Sequence, residues 1–449
     1  MTYETIIIGA GFAGLAAARA LKKGGEKSIL LLEARDRVGG RAMPGIVAGV
    51  TVDFGGMWMG PTQSRLKQLA SEFGVRTYRT NLEGKGVFRI GGSEDHGPGE
   101  DFRRLFNLFE GLDYLYVSRK IERLSATLEC TSPWDHPRAS FLDALTVEQW
   151  LQTNIRTAKL RSLFRIACTT LLCADTTQVS MLFFIHYIKS GDGLEPILSA
   201  GDGGAQHLLF EGGLHQIAQR MAQDVGDDLR LNDAVRSIEW GEGGVNIQSA
   251  SGCHEAQKTI IAIPATMVAK THFSPPLPRA KSALHDRISM GSAIKYWVAF
   301  ESPFWRDAGF NGLIIRDDVP CAPCFDVTPP GAKVGLLAGF FDGDHAIDHG
   351  DDPREARKAL VIQMLTDHFG EPALSPIDYV DIDWVAEEWS AGCYGAYAPP
   401  GVLARYGKWL RMPIGPLHWA GTESAARWTG YIEGAIRSGE RAAEEVLAS

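Results

Sequence analysis

Thr5-Ile6-Ile7-Ile8-Gly9-Ala10-Gly11-Phe12-Ala13-Gly14 is the stretch on which the fold turns. Its first four residues are β-branched, and three isoleucines in a row leave no polar face, which reads as a strand buried on both sides. Gly9-x-Gly11-x-x-Gly14 follows at once, and Leu15-Ala16-Ala17-Ala18-Arg19-Ala20-Leu21 is a strong helix former. Ser28 to Leu32 is a second apolar strand, ended by Glu33. Each part has a task in holding a dinucleotide. Gly9 makes the tight turn, Gly11 lets the backbone approach a pyrophosphate, and Gly14 lets helix and strand pack closely. Free N–H groups at the helix start face phosphates, and Glu33 accepts from both ribose hydroxyls. A lone glycine triplet is common in turns. Strand, helix, second strand and terminal acid in this order make it a nucleotide-binding βαβ unit.

Moving outward, Glu33-Ala34-Arg35-Asp36-Arg37-Val38-Gly39-Gly40-Arg41 sets two glycines and a forked cation just beyond the ribose acid. Asp53-Phe54-Gly55-Gly56-Met57-Trp58-Met59-Gly60-Pro61-Thr62 is a second glycine-rich turn, before a helix predicted over 63–73. With these segments the sequence resembles the flavin-dependent amine oxidases, and the monoamine oxidases most. The resemblance implies FAD, held through Glu33 and Arg41. It places Arg35, Gly40, Gly56, Met57, Trp58, Val235 and Trp384 among the cofactor contacts, beside the glycines Gly9, Gly11 and Gly14.

Composition bounds the rest. The 449 residues are 45% hydrophobic and 22% charged, which is ordinary soluble usage, so disordered and fibrous classes are excluded. A net charge of −9 without any Lys/Arg block argues against nucleic acid as a partner. No apolar run is long enough to span a bilayer. Residues 5–21 could pass for a signal sequence, but no positive charge precedes them and Arg19 interrupts them. The closing Glu444 to Ser449 is neither a prenylation signal nor an anchor. Seven cysteines, an odd number, suggest a reducing compartment, so a cytoplasmic protein is expected.

Residues 81–204 turn helical, with apolar spacing over 102–109, 112–128 and 141–151. A helix is predicted over 214–225, hairpin strands over 229–239 and 244–249, and a buried strand over 258–263. Further strands are expected at 293–300, 334–341 and 378–385, with a helix at 353–369. The fold class is therefore α/β. The resemblance implies a Rossmann-like FAD-binding domain (1–80, 205–290 and 385–449) interleaved with an α+β substrate-binding domain (81–204 and 291–384).

The C-terminal stretch HWAGTESAARWTGYIEGAIRSGERAAEEVL (418–447) offers a strand, a glycine turn and a helix N-terminus. Such a helix start stabilises negative charge developing on a neighbouring ring. Its match to the closing segment of the monoamine oxidases implies that Glu423 and the Gly430-Tyr431-Ile432 backbone contact FAD. Asp383-Trp384-Val385-Ala386-Glu387-Glu388-Trp389-Ser390-Ala391-Gly392-Cys393-Tyr394 resembles the family's flavin-facing turn. Cys393 stands where relatives carry a thioether to the flavin, although Ala391 replaces a glycine there. A covalent link and a buried free thiol are both open. Tyr394 and Tyr431 match the pair flanking the amine, whose electron-rich faces favour an amine nitrogen. Lys295, in Met290-Gly291-Ser292-Ala293-Ile294-Lys295-Tyr296, matches a lysine holding water near the flavin. Gln206 matches a substrate-site glutamine, in a loop one residue longer than the family pattern.

Cys321-Ala322-Pro323-Cys324 has no second ligand pair for zinc and no strand-to-helix setting for redox work, so two unpaired loop thiols are expected. His345 and His349 read as a solvated loop, and no metal is expected. By resemblance the activity is FAD-dependent oxidation of an amine to an imine by hydride transfer to flavin N5. Hydrolysis then gives an aldehyde or ketone, and O2 reoxidation gives H2O2. The alternatives are a polyamine, amino-acid or cyclic-amine (nicotine-like) oxidase or dehydrogenase of the same fold, or a non-catalytic FAD-binding protein. The partners expected are a small amine and O2, with no membrane and with a homodimer compatible.

Overall fold

The computed structural model describes residues 2–449, and its larger sheet grows from the opening strand Thr2–Ile8. Ile6 pairs in parallel with Leu30 on one side and with Thr259 on the other. With no polar side-chain atoms from Ile6 to Ile8, both faces can be covered by apolar layers. The sheet runs in the order His272–Ser274, Val235–Gly241, Gly244–Ser249, Gly252–Ile261, Thr2–Ile8, Ile29–Leu32, Leu229–Arg230. Leu417–Trp419 joins it in parallel against Thr259–Ile261. This is a Rossmann-like core assembled from chain segments far apart in sequence.

The helix Phe12–Lys23 lies over this sheet, and the C-terminal helix Ile432–Leu447 lies against it. Their backbones approach so closely that a Cβ on Gly439 would fall 2.0 Å from the Ala13 carbonyl oxygen. The predicted hairpin strand 229–239 is two strands. Leu229–Arg230 pairs in parallel with Leu31–Leu32, Asn232 turns the chain at a φ of 57°, and only Val235–Gly241 enters the hairpin.

A second, seven-stranded sheet has the order Asp378–Asp383, Ala293–Phe300, Gly335–Asp342, Cys324–Asp326, Phe310–Arg316, Lys85–Ile90, Ser93–Pro98. Ala293–Phe300 is buried along its whole length. Helices between 108 and 198 pack around one apolar core that includes Ile121, Trp150 and Phe184. The helix expected over 141–151 is broken into Ala139–Ala144 and Val147–Asn154. Thr146 is the reason. Its hydroxyl accepts the Gln149 N–H and Gln149 Oε1 accepts the Thr146 N–H, both at 3.0 Å, so a new helix starts there. Cys321 and Cys324 are fully buried rather than in an open loop, and Cys324 begins a strand. His345 lies in the short helix Asp344–Asp348. No helix among the described residues is long and apolar enough to cross a membrane.

Candidate active site

One cavity of about 1060 Å³ runs from the Gly9 turn to a wall built by the second sheet and the helices. That volume is at the top of the range of about 300–1,000 Å³ for a small-molecule pocket, leaving room for a large cofactor and a second ligand.

At the nucleotide end the backbone does the work. Gly9, Gly11 and Gly40 line the cavity, and a Cβ on Gly40 would come within 3.3 Å of the Gly11 Cα. Gly11 is the N-cap of Phe12–Lys23, with no side-chain cap and no acid in the first turn. Its first N–H groups are thus left for an anion. Glu33 is 3% exposed and accepts N–H groups from Ala10 at 2.7 Å and Arg35 at 3.0 Å. Arg35 is held in turn by Glu387 and by Ser390 Oγ at 2.8 Å.

Arg41 Nη1 donates to Glu423 at 2.8 Å and to the Tyr394 carbonyl at 2.9 Å. Burial works against the Arg41 charge, and Glu423 more than offsets it. Arg41 therefore ties the glycine segment to the aromatic wall. Trp384 Nε1 donates to the Phe54 carbonyl at 3.0 Å, which fixes the second glycine turn behind Gly56, Met57 and Trp58.

Lys295 is 2% exposed on the cavity wall. Its Nζ donates to the carbonyls of Asp53 and Gly55, both at 2.8 Å, and lies 3.1 Å from Met57 Sδ. Burial pulls its ammonium down to about 7, against the opposing pull of Asp53. Cys393 also lines the cavity, and burial pushes its thiol up to about 12, while Arg41 and Lys295 pull the other way. The residue two before it, Ala391, holds a left-handed φ of 51°, the conformation glycine would take without strain.

Tyr394 and Tyr431 both face the cavity. Tyr394 packs edge-on against Phe340 at 5.5 Å, and Tyr431 lies against Trp428 at 4.9 Å and Tyr187 at 5.6 Å. Gly430 and Ile432 line the cavity beside them, where the helix Ile432–Leu447 starts without a side-chain cap. Gln206 and Val235 are also on the wall. Gln206 Nε2 donates to the Ile197 carbonyl at 3.2 Å, and its Oε1 is buried without a partner among the described residues, as is Trp58 Nε1.

Two residues expected to touch the cofactor do not line the cavity. Gly14 sits behind the turn, where a Cβ would fall 1.9 Å from the Gly9 carbonyl oxygen, so its part is helix–strand packing. Glu423 is turned away because its carboxylate is committed to Arg41 and to the Ala396 N–H at 3.2 Å. The sequence reading missed Tyr187 and Phe340. Tyr187 lies in Met181–Ser190, a helix buried almost all round, so no periodicity singles it out. Glu94, His96 and His368 bring three ligand-type atoms together, but none lines the cavity, and Arg316 donates to His368 Nε2 at 2.9 Å.

The residues fit FAD. A glycine cradle that a Cβ would crowd, an uncapped helix start, two arginines and a buried acid match an adenine dinucleotide. Comparisons with known proteins agree. The family model for flavin containing amine oxidoreductases matches residues 12–447. A Mycobacterium tuberculosis protein named as a flavin-containing monoamine oxidase, AofH, is 39% identical over 449 residues, covering 100% of this chain and 97% of its own. The flavin-containing amine oxidase B of Rattus norvegicus is 35% identical, covering 99% of this chain and 86% of its own. Among solved structures, cyclohexylamine oxidase from Brevibacterium oxydans superposes with a TM-score of 0.94 at 32% identity, covering 100% and 99%. A putrescine oxidase bound to putrescine gives 0.95 at 31%, covering 100% of both chains. With its fold, its cavity and these likenesses in agreement, the chain belongs to the flavin-containing amine oxidoreductase family and is an FAD-dependent amine oxidase.

Proposed function

We propose that this oxidase acts on monoamines with an apolar body, which enter as neutral amines and pass between Tyr394 and Tyr431. The observation that carries this reading is the make-up of the wall. Every lining residue contributed by 163–171 and 313–325, and Phe340, is apolar apart from Thr170. An ammonium would be stripped of water there without a partner, so the neutral amine is the form that enters. Three lining cations are already engaged and are not free to hold a substrate carboxylate: Lys295 with two carbonyls, Arg41 with Glu423, Arg103 with Asp101. This disfavours amino acids.

FAD, when bound, takes the two electrons and O2 removes them as H2O2. Glu33, Arg35, Arg41 and the backbone at Gly9, Gly11, Gly40, Gly56, Gly430 and Ile432 would hold it, with Met57, Trp58, Val235 and Trp384 alongside. The aromatic pair orients the amine nitrogen, the apolar wall excludes water, and Lys295 keeps the second glycine turn in register. Cys393 lines the cavity, and its place on that wall supports a thioether to the cofactor, with Arg41 and Lys295 opposing in part the burial that keeps its thiol protonated.

A second reading, diamines, is favoured by Glu195 and Asp202, acids that also line the cavity. An anaerobic panel of aromatic, alicyclic and α,ω-diamines, followed by flavin bleaching, separates the two. Fastest bleaching by a diamine overturns the first reading, and no bleaching by any amine overturns both.

The domain division expected from sequence is part of the proposal, supported by the strands that 2–32, 229–274 and 417–419 contribute to one sheet. So is a cytoplasmic location, supported by seven free cysteines. A homodimer is included on the strength of exposed Leu108, Phe109 and Leu112, with sedimentation velocity as its test.

A further inference from the structure

Glu100 stands two residues beyond the edge strand Ser93–Pro98, in a turn fastened to the seven-stranded sheet. Gly99 donates its N–H to the Gly84 carbonyl and accepts the Asn311 side-chain amide, both at 2.9 Å. From this anchored turn the half-buried Glu100 side chain reaches across to residues 199–201. Its Oε2 accepts the Ala200 N–H at 2.8 Å, and its Oε1 accepts the Gly201 N–H at 3.3 Å and the Ser199 hydroxyl. Two consecutive N–H groups and a hydroxyl thus make a nest for one carboxylate. Among the described residues no other hydrogen bond joins 98–103 to 194–204.

Both segments are cavity wall. At the end bounded by Tyr114, Leu163 and Phe164, the lining residues open to solvent are Pro98, Arg103, Glu195, Leu198, Asp202 and Gly203. The cavity therefore has a mouth between these two segments. The second is folded by its own bonds, Ala205 N–H to the Pro196 carbonyl at 2.8 Å and Gly204 N–H to the Gly201 carbonyl at 2.9 Å. Those bonds keep the loop's shape without tying it to the opposite rim. Gly193 and Gly203, at φ of 124° and 95°, give the backbone on either side of it a freedom other residues lack.

We propose that Glu100 is a specificity-determining residue, a latch that holds the two rims of the mouth together and so limits the girth of the amine that enters. The proposal rests on the reading that the substrate is a monoamine with an apolar body. A carboxylate suits the task because it only accepts, whereas an amide in its place would turn an N–H toward an N–H. A slim amine passes with the three bonds intact. A bulky one passes only when the 194–203 rim draws back, which breaks them together.

The test compares Glu100→Ala with the wild type, both FAD-loaded, by anaerobic bleaching with benzylamine and with its 3,5-di-tert-butyl derivative. In the variant the second-order constant of the bulky amine is expected to rise about tenfold relative to that of benzylamine, with the limiting rate for benzylamine within about twofold of the wild type. Ser199→Ala alone should give a smaller rise, and should add nothing in the Glu100→Ala background. Hydrogen–deuterium exchange of 196–204 should be about tenfold faster in Glu100→Ala and unchanged in 432–447. An unchanged ratio of the two amines, a limiting rate lowered beyond twofold, or unchanged exchange of 196–204 overturns the proposal. Should Glu100→Ala not fold, Glu100→Gln keeps one acceptor oxygen and must shift the ratio and the exchange in the same direction. A wild type that no amine bleaches would defeat the amine reading, while exchange of 196–204 would still judge the latch.

Discussion

Replacing Lys295 by Met tests how a buried cation shapes the stability of this enzyme. An exposed lysine titrates near 10.5, and burial pulls Lys295 down to about 7. Between these values the unfolded chain binds a proton at this position that the folded chain has released. Unfolding therefore becomes harder as pH rises from 7 toward 10.5, and the full cost of the buried charge is felt below 7. Worked through, that cost is about 4 kcal/mol at pH 7 and about 2 kcal/mol at pH 9. Lys295→Met removes the cost but leaves the carbonyls of Asp53 and Gly55 without their donor, at about 1–3 kcal/mol each. The two effects nearly cancel at pH 7, so the absolute stability of the variant says little. The slope with pH says more. Urea unfolding of both proteins with FAD in equal excess should show the wild type gaining about 2 kcal/mol on the variant between pH 7 and pH 9. Parallel pH dependences in the two proteins would refute the reasoning, because they would mean that Lys295 titrates alike in the folded and unfolded chains.

Three other outcomes are expected. Gly14→Ala should abolish flavin retention, since its Cβ would fall 1.9 Å from the Gly9 carbonyl oxygen, whereas Gly111→Ala, in an open helical position, should raise the unfolding midpoint slightly. Arg41→Lys replaces the planar guanidinium whose Nη1 joins Glu423 to the Tyr394 carbonyl with a compact ammonium on a differently shaped stem, and should weaken FAD binding about 10–100-fold in a fluorescence titration. After acid precipitation the yellow colour should pellet with the wild type and remain in the supernatant of Cys393→Ala; colour in both supernatants refutes the thioether.

What was readable in the sequence was local. The βαβ unit, the strand carrying Lys295 and the helix after Tyr431 each declare themselves through short-range patterns: a β-branched run, a glycine spacing, an uncapped helix start. What was hidden depends on partners distant in the chain. Glu423 carries no local mark showing that Arg41, 382 residues away, claims its carboxylate. Tyr187 sits in a helix buried on almost every side, where one aromatic ring among several gives no sign of facing a cavity. The break at Thr146 was legible in principle, because Thr146 and Gln149 have capping-box spacing, but the apolar repeat across 141–151 masked it.

The pairing of Thr259–Ile261 with both Ile6–Ile8 and Leu417–Trp419 also sets a timetable for synthesis. The glycine turn leaves the ribosome well before the strand and helix that complete its surroundings. At roughly 5–20 residues per second, the opening βαβ unit waits about 20–80 s for residues 417–419. During that interval a run of buried isoleucines lacks its cover, so the nascent chain needs shelter from aggregation long before a cofactor can help. The cavity that would hold FAD is therefore whole only after residues 417–432 have joined the sheet and wall that the glycine turn begins.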